Sequence, residues 1–465
     1  GNLFVGFQSG FSNQSGNYNT FIGYLAGYSN TTGKFNTFMG SYTGYLNQTG
    51  ENNTFVGDSS GYKNTGNSNS FFGTKTGLNT TSGIENIFIG NMSGYNHTTG
   101  YANVYIGNKA GYAHNSNYNV LIGNMAGYSN RGSSNVFIGF ESGRDNSNGS
   151  SNVYIGRKSG VVNTIGSSNV FIGDYSGLNN SDGEGNVFIG KDAGYANTGG
   201  DNNIYIGYNT ATQCNSGWLN VSIGAQSGIQ SNGTANIMLG TKAGYSDSDG
   251  IRNLYIGASA GYSNAHGMKN VFIGNEAGYF SKSSEKLYIE NSNADSLSAL
   301  IYGDFAENFV RINHSLGISR MPVTNNLEVN GTASKTTAGE WLVNSDRRIK
   351  TDIHDIDNAS EVVLRLRPVM FKYTDYWKSK HPTIEDKYYY NFIAQEFREV
   401  FPESVKGSGE FIEGDSEEIL QMDSYNAQII SIKAVQELIQ ENRKQQDEIE
   451  SLKSELDAIK ALLTK

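Results

Sequence analysis

The chain has 465 residues, room for two or three domains, but its composition excludes a single ordinary globular core. With 58 glycines, 4 prolines and 12% aromatic residues, it is too aromatic for a disordered chain, and glycine does not recur at every third position as in collagen. The formal charge of −10 argues against nucleic-acid binding, and no apolar run approaches the roughly 20 residues that span a bilayer.

The chain begins in the middle of a repeat and contains a single cysteine. The sequence starts at Gly1 with no initiating Met and no signal peptide, so we expect a processed end or a fragment boundary. Cys214 cannot form an intrachain disulfide, and we expect it to be a small, shielded side chain. The sequence predicts no cofactor and no metal site.

A five-residue box ending in glycine recurs through residues 1–290, at spacings of 16 or 17 residues. The first two boxes are residues 2–6 (NLFVG) and 19–23 (NTFIG), and a decayed final one spans residues 287–290. The seventeen closing glycines are Gly6, Gly23, Gly40, Gly57, Gly73, Gly90, Gly107, Gly123, Gly139, Gly156, Gly173, Gly190, Gly207, Gly224, Gly240, Gly257 and Gly274. This regularity predicts a solenoid in which each repeat forms one coil.

The box is apolar at adjacent positions. The residue before the glycine is always apolar, and the residue two before it is Phe or Tyr in fourteen of the seventeen boxes. The residue three before it is often Thr or Ser in early repeats and Val, Ile or Leu later. Because neighbouring positions of a strand face opposite sides, both faces of this strand have to be buried. One face can fill the inside of the coil, whereas the other requires a partner surface.

We assign the aromatic column to the axis of a trimer, because a single thin solenoid would expose a continuous aromatic stripe. The alternative is a monomeric solenoid whose interior accommodates every ring. The predicted trimer-axis residues are Phe4, Phe21, Phe38, Phe55, Phe71, Phe88, Tyr105, Phe137, Tyr154, Phe171, Phe188, Tyr205, Tyr255 and Phe272.

Polar and small residues complete the repeat. The asparagine four residues before each glycine is expected to adopt a left-handed backbone and to stack its amide on the next coil. A second box of Ser, Ala or Thr, then Gly and an aromatic residue, follows at a fixed offset, for example at residues 26–28 and 60–62. Each coil is therefore predicted to contain two short strands and two turns. At about 4.8 Å per coil, the solenoid would be roughly 80 Å long.

These repeats resemble the head repeats of trimeric autotransporter adhesins, whose box is Asn-Ser-Val-Ala-Ile-Gly. The resemblance covers residues 1–290 and implies a trimer of left-handed parallel β-rolls. The repeat is longer here, by 2 or 3 residues, and an aromatic residue replaces the family's small alanine. The resemblance therefore implies a thicker trimer axis.

The chain changes character after residue 290. Short strands are predicted at 300–305, 309–312 and 326–331, and we interpret residues 291–344 as a trimeric β-neck. Charge density rises from Asn344, and residues 345–430 are interpreted as a small α+β module. Its predicted elements are strands at 368–374, 388–393 and 417–422 and a helix at 394–400.

Residues 431–465 are predicted to form a trimeric coiled coil, because apolar residues recur at alternating spacings of 3 and 4. One seam position is occupied by Val435, Asn442, Ile449, Leu456 and Leu463, and the other by Leu438, Gln445, Leu452 and Ile459. Asn442 and Gln445 would cost stability but fix the register. The alternative is a lone amphipathic helix packed on its own module.

The motifs after residue 344 resemble, in their order, the intramolecular chaperone domain of phage tailspikes and endosialidases, which is also a family of self-cleaving peptidases. The match covers about residues 344–440 and opens with Ser-Asp-x-Arg-x-Lys at residues 345–350. By this resemblance Ser345 and Lys350 form a catalytic dyad, and Asn344 and Asp346 adjoin the cleaved bond. Asn391 stands where the family often has Gly, away from the dyad.

A serine hydroxyl becomes a nucleophile when a base removes its proton, and lysine can be that base when desolvation or nearby cations lower its pKa. Arg347 and Arg348, together with burial on trimer assembly, would supply these influences. Cleavage is therefore predicted to depend on assembly. The alternative is that Ser345 caps a turn and Lys350 is a solvated charge.

The sequence thus predicts a mostly β, homotrimeric, extracellular fibre, made of a solenoid shaft, a neck, a chaperone module and a coiled coil. Its partners would be two identical chains and a host or environmental surface, with glycans among the candidates, and it would sit on a cell surface or a virion. Two alternatives stay open. The fibre could carry a polysaccharide depolymerase using scattered carboxylates such as Glu141 and Asp174, or the module could trimerise without cutting.

Overall fold

The computed structural model describes residues 1–318, 326–329, 345–381 and 384–463, and it divides into two compact units, Gly1–Asn313 and His314–Lys465. The predicted neck at 291–344 lies partly outside the described residues, and Asn344 lies outside them. The first unit is a β-solenoid of about seventeen turns, as the repeat predicts.

The solenoid has one short strand per coil, and each strand pairs in parallel with the strand of the next coil. The strands are β1 Leu3–Val5, β2 Thr20–Ile22, β3 Thr37–Met39, β4 Thr54–Val56, β5 Ser70–Phe72, β6 Ile87–Ile89, β7 Val104–Ile106, β8 Val120–Ile122, β9 Val136–Ile138, β10 Val153–Ile155, β11 Val170–Ile172, β12 Val187–Ile189, β13 Ile204–Ile206, β14 Val221–Ile223, β15 Ile237–Leu239, β16 Leu254–Ile256, β17 Val271–Ile273 and β18 Lys286–Ile289. The decayed box therefore forms the last parallel strand.

Equivalent residues of successive coils stack directly on one another. Phe171 pairs in register with Tyr154 and Phe188, at ring-centroid distances of 4.8 Å and 4.7 Å and an interplanar angle of 6° on each side. All three rings are 0% exposed in the single chain. The aromatic column is therefore the interior of the coil.

This placement makes the assignment of the aromatic column to a trimer axis wrong. Every ring of that set from Phe21 to Phe272 is 0% exposed in one chain, so the chain buries them by itself. The physical reason lies in the second box. Gly27, at φ +61°, lies against Phe21, and a Cβ there would stand 2.6 Å from the ring. A glycine in this box makes room for the ring inside the coil.

The face that one chain leaves uncovered is the opposite one, formed by the residues one and three before the box glycine. Val170 and Ile172 are half-buried, and Ile87 and Ile89 are 42% and 39% exposed. We call this stripe of aliphatic side chains the outer face. From β6 onward it is apolar at both positions, so the stripe runs for several tens of Å along the solenoid. Long exposed apolar stripes of this kind usually mark a binding surface.

Two local predictions are wrong. The second box forms turns rather than a second strand, so each coil has one strand. The left-handed residue is the one before the box asparagine, for example Phe35 with φ 58°.

The predicted link between coils is confirmed, since the Asn36 N–H donates to Asn19 Oδ1 at 2.9 Å. The Asn36 Nδ2 also donates to the Gly50 carbonyl at 2.7 Å.

A second polar column, buried from residue 30 onward, runs beside the aromatic stack, at residues 13, 30, 47, 64, 80, 97, 114, 130, 146, 163, 180, 197, 214, 231, 247 and 264. We call it the inner polar column. Most members are asparagines, and several of them bond between coils, as Asn180 Nδ2 does to Asn163 Oδ1 at 3.1 Å. Cys214 occupies one position, buried as expected, with its Sγ 3.2 Å from the Tyr205 hydroxyl. Burial raises the pKa of this thiol.

Two histidines, His97 and His114, replace asparagine in adjacent coils of the inner polar column, and both are 0% exposed. Their rings stack at 6.4 Å, and the Tyr105 hydroxyl bonds to His114 Nδ1. Burial lowers the pKa of His97 to about 3 and that of His114 well below its ordinary value. Both imidazoles are therefore neutral in the folded chain at pH 7.

The first unit ends in two antiparallel strands, β19 Ile301–Asp304 and β20 Phe309–Ile312, which confirm two of the short strands predicted there. β19 pairs with β18, and Lys286 Nζ lies 2.6 Å from Asp304 Oδ2 across this pair. These strands reverse the chain direction at the end of the solenoid sheet.

The second unit is α+β in its module and ends in a long helix. Its elements are β21 Leu316–Ile318, β22 Leu327–Val329, α1 Ala359–Arg365, β23 Val369–Phe371, α2 Asp375–Lys380, β24 Tyr389–Asn391, α3 Ala394–Arg398, β25 Val405–Phe411, β26 Glu418–Met422 and α4 Tyr425–Leu463, with short 3-10 turns at Arg347–Ile349 and Pro402–Ser404. β23, β24, β26 and α3 lie within the predicted ranges, whereas α1, α2 and β25 were not predicted. Phe397, Phe401, Val405 and Ala427 form its core.

The buried histidine pair predicts acid sensitivity of the solenoid. Unfolded histidine has a pKa of about 6.5 and takes up a proton below that pH, whereas the folded imidazoles stay neutral, so stability falls as the pH drops from about 6.5 toward 3. Replacing both His97 and His114 with Asn, the residue usual in this column, should remove this loss, roughly 2–3 kcal/mol per histidine between pH 7 and 4.5. Denaturant unfolding at both pH values measures the difference; equal pH dependence in parent and variant would contradict it.

Candidate active site

The residues of the predicted dyad lie at the two ends of one tight turn. Asp346 precedes the 3-10 turn Arg347–Ile349 in extended conformation, and its side chain accepts a hydrogen bond from the Arg348 N–H at 2.8 Å. The Lys350 N–H then bonds to the Arg347 carbonyl at 3.2 Å. This turn brings Lys350 back beside Ser345.

Lys350 Nζ donates a hydrogen bond to Ser345 Oγ at 2.6 Å. This is within the distance over which a base takes a proton from a nucleophile. Ser345 and Lys350, selected through the family resemblance, thus contact each other in the folded chain. The contacts that hold Ser345 and Lys350 together all lie within residues 345–350.

Asp346 stabilises the turn through its charge as well as through the cap. The Arg348 guanidinium contacts both carboxylate oxygens of Asp346, with Nη2 to Oδ2 at 2.7 Å and Nε to Oδ1 at 3.0 Å. This bidentate pair holds the pKa of the Asp346 carboxyl below its ordinary value and raises that of Arg348. Asp346 thus offsets the charge of Arg348, one of the two arginines that the sequence analysis placed near Lys350.

Both members of the pair are exposed in the single chain. A lysine becomes an effective base when it leaves water, and water at an exposed serine competes for the same proton. The single chain therefore brings the two groups together without the covering surface that the chemistry requires.

A contact that sequence reasoning missed joins α4 to the start of α1. The Glu437 carboxylate accepts hydrogen bonds from the backbone N–H groups of Ala359 at 3.0 Å and Ser360 at 2.9 Å, and from Ser360 Oγ at 2.7 Å. The same contacts lower the pKa of Glu437. The partners lie 77 and 78 residues apart, so no local pattern signals the pairing.

Two kinds of site are absent from the part of the chain that the structure describes. It contains no group of three or more His, Cys, Asp and Glu side chains arranged to hold a metal ion. None of its helices combines the length and apolar character needed to cross a bilayer.

Comparison with known proteins identifies a domain that begins at this turn. The family described as chaperone of endosialidase matches residues 345–406, starting at Ser345. A curated protein of Dictyostelium discoideum, described as an uncharacterized membrane protein, is 30% identical over 171 residues, which cover 34% of this chain and 10% of that protein. The chain thus matches only about a tenth of the length of this relative.

The chain therefore carries an endosialidase-type chaperone domain that follows a long β-solenoid in the sequence. A chaperone domain of this kind behind a solenoid suggests a tail-fibre-like protein.

Proposed function

We propose that this chain is one of three identical chains of an extracellular fibre, whose C-terminal module drives assembly and then cuts the chain beside Ser345. The observation that carries the proposal is the 2.6 Å contact between Lys350 Nζ and Ser345 Oγ, at the first residues of the matched chaperone domain. The fibre would be a phage tail fibre or a surface adhesin. Its shaft has the repeats that resemble adhesin heads.

In the proposed reaction, Ser345 Oγ forms a bond to a peptide carbonyl carbon while its proton passes to Lys350. The C–N bond then breaks, the proton goes to the departing nitrogen, and water hydrolyses the resulting ester. The attacked carbonyl belongs to Asn344, which gives an unstrained ring, or to a neighbouring chain. Assembly regulates the reaction, because a second copy would supply the cover that the exposed pair lacks.

Trimerisation is supported by two uncovered apolar surfaces. The outer face leaves aliphatic side chains such as Ile237 at 41% exposure along the solenoid. The heptad positions of α4 are exposed in the single chain, Val435 at 54% and Leu438 at 67%. Coiled coils bury such stripes between helices, and large exposed apolar surfaces mark sites of interaction. In the proposed trimer, the outer face lies toward the axis, where the sequence analysis had put the aromatic rings.

The two candidate carboxylates give little support to the depolymerase alternative. Asp174 is paired with Arg157 by two hydrogen bonds, at 2.9 Å and 2.7 Å, which lower its pKa, whereas a glycosidase acid requires a raised one. Glu141 is paired with Arg144 at 3.2 Å and lies 3.7 Å from Lys158. Both carboxylates act as ion-pair partners on the solenoid.

The cleavage proposal predicts different fragments for matched variants. The parent chain should release a C-terminal fragment of about residues 345–465 on denaturing gels, whereas Ser345→Ala and Lys350→Ala should each stay full length, because they remove the nucleophile and the base. Arg347→Gln serves as the control and should still release the fragment, at a lower rate. A full-length parent would contradict self-cleavage and leave the module as a trimeriser alone.

The outer-face proposal predicts which substitutions weaken assembly. Replacing Ile155 and Ile172 with Asp places six carboxylates along a trimer axis, so the dissociation constant measured by sedimentation equilibrium should rise at least tenfold. Asn148→Asp, at an exposed turn, adds charge away from this face and should leave assembly unchanged. A parent chain that sediments as a monomer would overturn the trimer itself.

A further inference from the structure

A groove in the second unit lies between the β23–β24 hairpin and the first turns of α4. Pro368, Met370, Tyr390, Phe392, Ala427 and Ser431 line it, and its volume is about 520 Å³. We call it the hairpin groove. Met370 and Tyr390 stand directly opposite each other on the two strands and are 54% and 79% exposed. Two large side chains thus remain in water beside an unfilled space.

The hairpin groove continues the heptad seam of α4. Counting back one heptad from Val435 and Leu438 gives Gln428 and Ser431, and both line the groove. In a parallel bundle these positions point toward the sister helices. The groove therefore opens toward the place where a second helix would lie.

Small residues of α4 leave the groove open. Ser431 occupies the seam position that Leu438 holds one heptad later, and Ala427 lies beside the seam, so neither side chain fills the space. The groove is thus open to a side chain from another chain.

The same segment of α4 presents a second exposed apolar row that its own chain does not use. Tyr425, Ile432 and Ile439 are spaced by seven residues and lie beside the seam, with exposures of 46%, 59% and 47%. Such a row widens the apolar stripe at this end of the helix. In a parallel, in-register bundle, equal residue numbers lie at equal heights, so this row of one copy lies level with the hairpin groove of the next.

We infer that the hairpin groove is the docking site for α4 of a second copy of this chain, with Ile432 of that copy seated between Met370 and Tyr390. Each chain then offers one groove and one helix, and three chains close the ring. The contact ties the chaperone module of one chain to the helix of its neighbour. This inference rests on the proposed trimer and adds its partner surface.

Disulfide trapping tests the contact in the full chain. We take the Ser345→Ala chain, which keeps the module attached, and add Met370→Cys and Ile432→Cys; Cys214 is buried and does not compete. Mild oxidation should give covalent dimers and trimers on non-reducing gels. The matched control, Met370→Cys with Lys453→Cys, places the second thiol about 30 Å further along the helix and should give none.

Three outcomes separate this inference from the proposed function. Trimers in sedimentation without the 370–432 cross-link, or a cross-link within one chain, overturn the docking site but not the fibre. A monomeric chain overturns both. As a second test without thiols, Ile432→Asp should raise the trimer dissociation constant at least tenfold, whereas Gln440→Asp, on the outward side of α4, should leave it unchanged; equal effects would contradict the inference.

Discussion

The packing of an aromatic ring against a glycine inside most coils determines the rest of this structure. Phe21 fills the interior because Gly27, in the second box, has no Cβ to occupy the same space. The ring then stacks on the equivalent ring of the next coil, at 4.8 Å from Phe38. A repeat of 16 or 17 residues with one three-residue strand is long enough to close around one ring. The aromatic column is thus a core that a single chain builds alone, in two clusters that meet at Ser222.

The position of the rings decides where a partner can bind. Because the aromatic residue takes the inside of the strand, the aliphatic residues on both sides of it face outward. A surface of Val and Ile side chains with a regular spacing suits a second copy with the same spacing. Identical coils would also permit slipped registers, so the register has to be set elsewhere. In the proposed fibre, α4 and the hairpin groove fix that register before the shafts pair.

Sequence alone predicted the solenoid, the strand at each glycine box and the coil boundaries, because the glycine box recurs without interruption. It predicted that both faces of the strand have to be buried. It assigned the aromatic residues to the trimer axis, however, whereas the structure places them inside the coil and leaves the aliphatic residues outside. The sequence did contain the signal that places the rings inside the coil, since most repeats have a glycine equivalent to Gly27 at the same offset from the aromatic residue. The contact between Ser345 and Lys350 followed from a motif within six residues. The capping of α1 by Glu437 could not be predicted, because it depends on how distant segments pack.

Hydroxyl-radical footprinting with mass spectrometry, carried out on the assembled protein and on dissociated single chains that remain folded, tests the central claim most directly. We predict that Tyr154 and Tyr205 resist oxidation in both states, whereas Ile155 and Ile206 are protected only in the assembly. Exposed Tyr18 and Tyr208 report the full reaction rate in each sample. Oxidation of Tyr154 and Tyr205 in the folded single chain would contradict the account, because it would place the rings on the surface that partner chains cover.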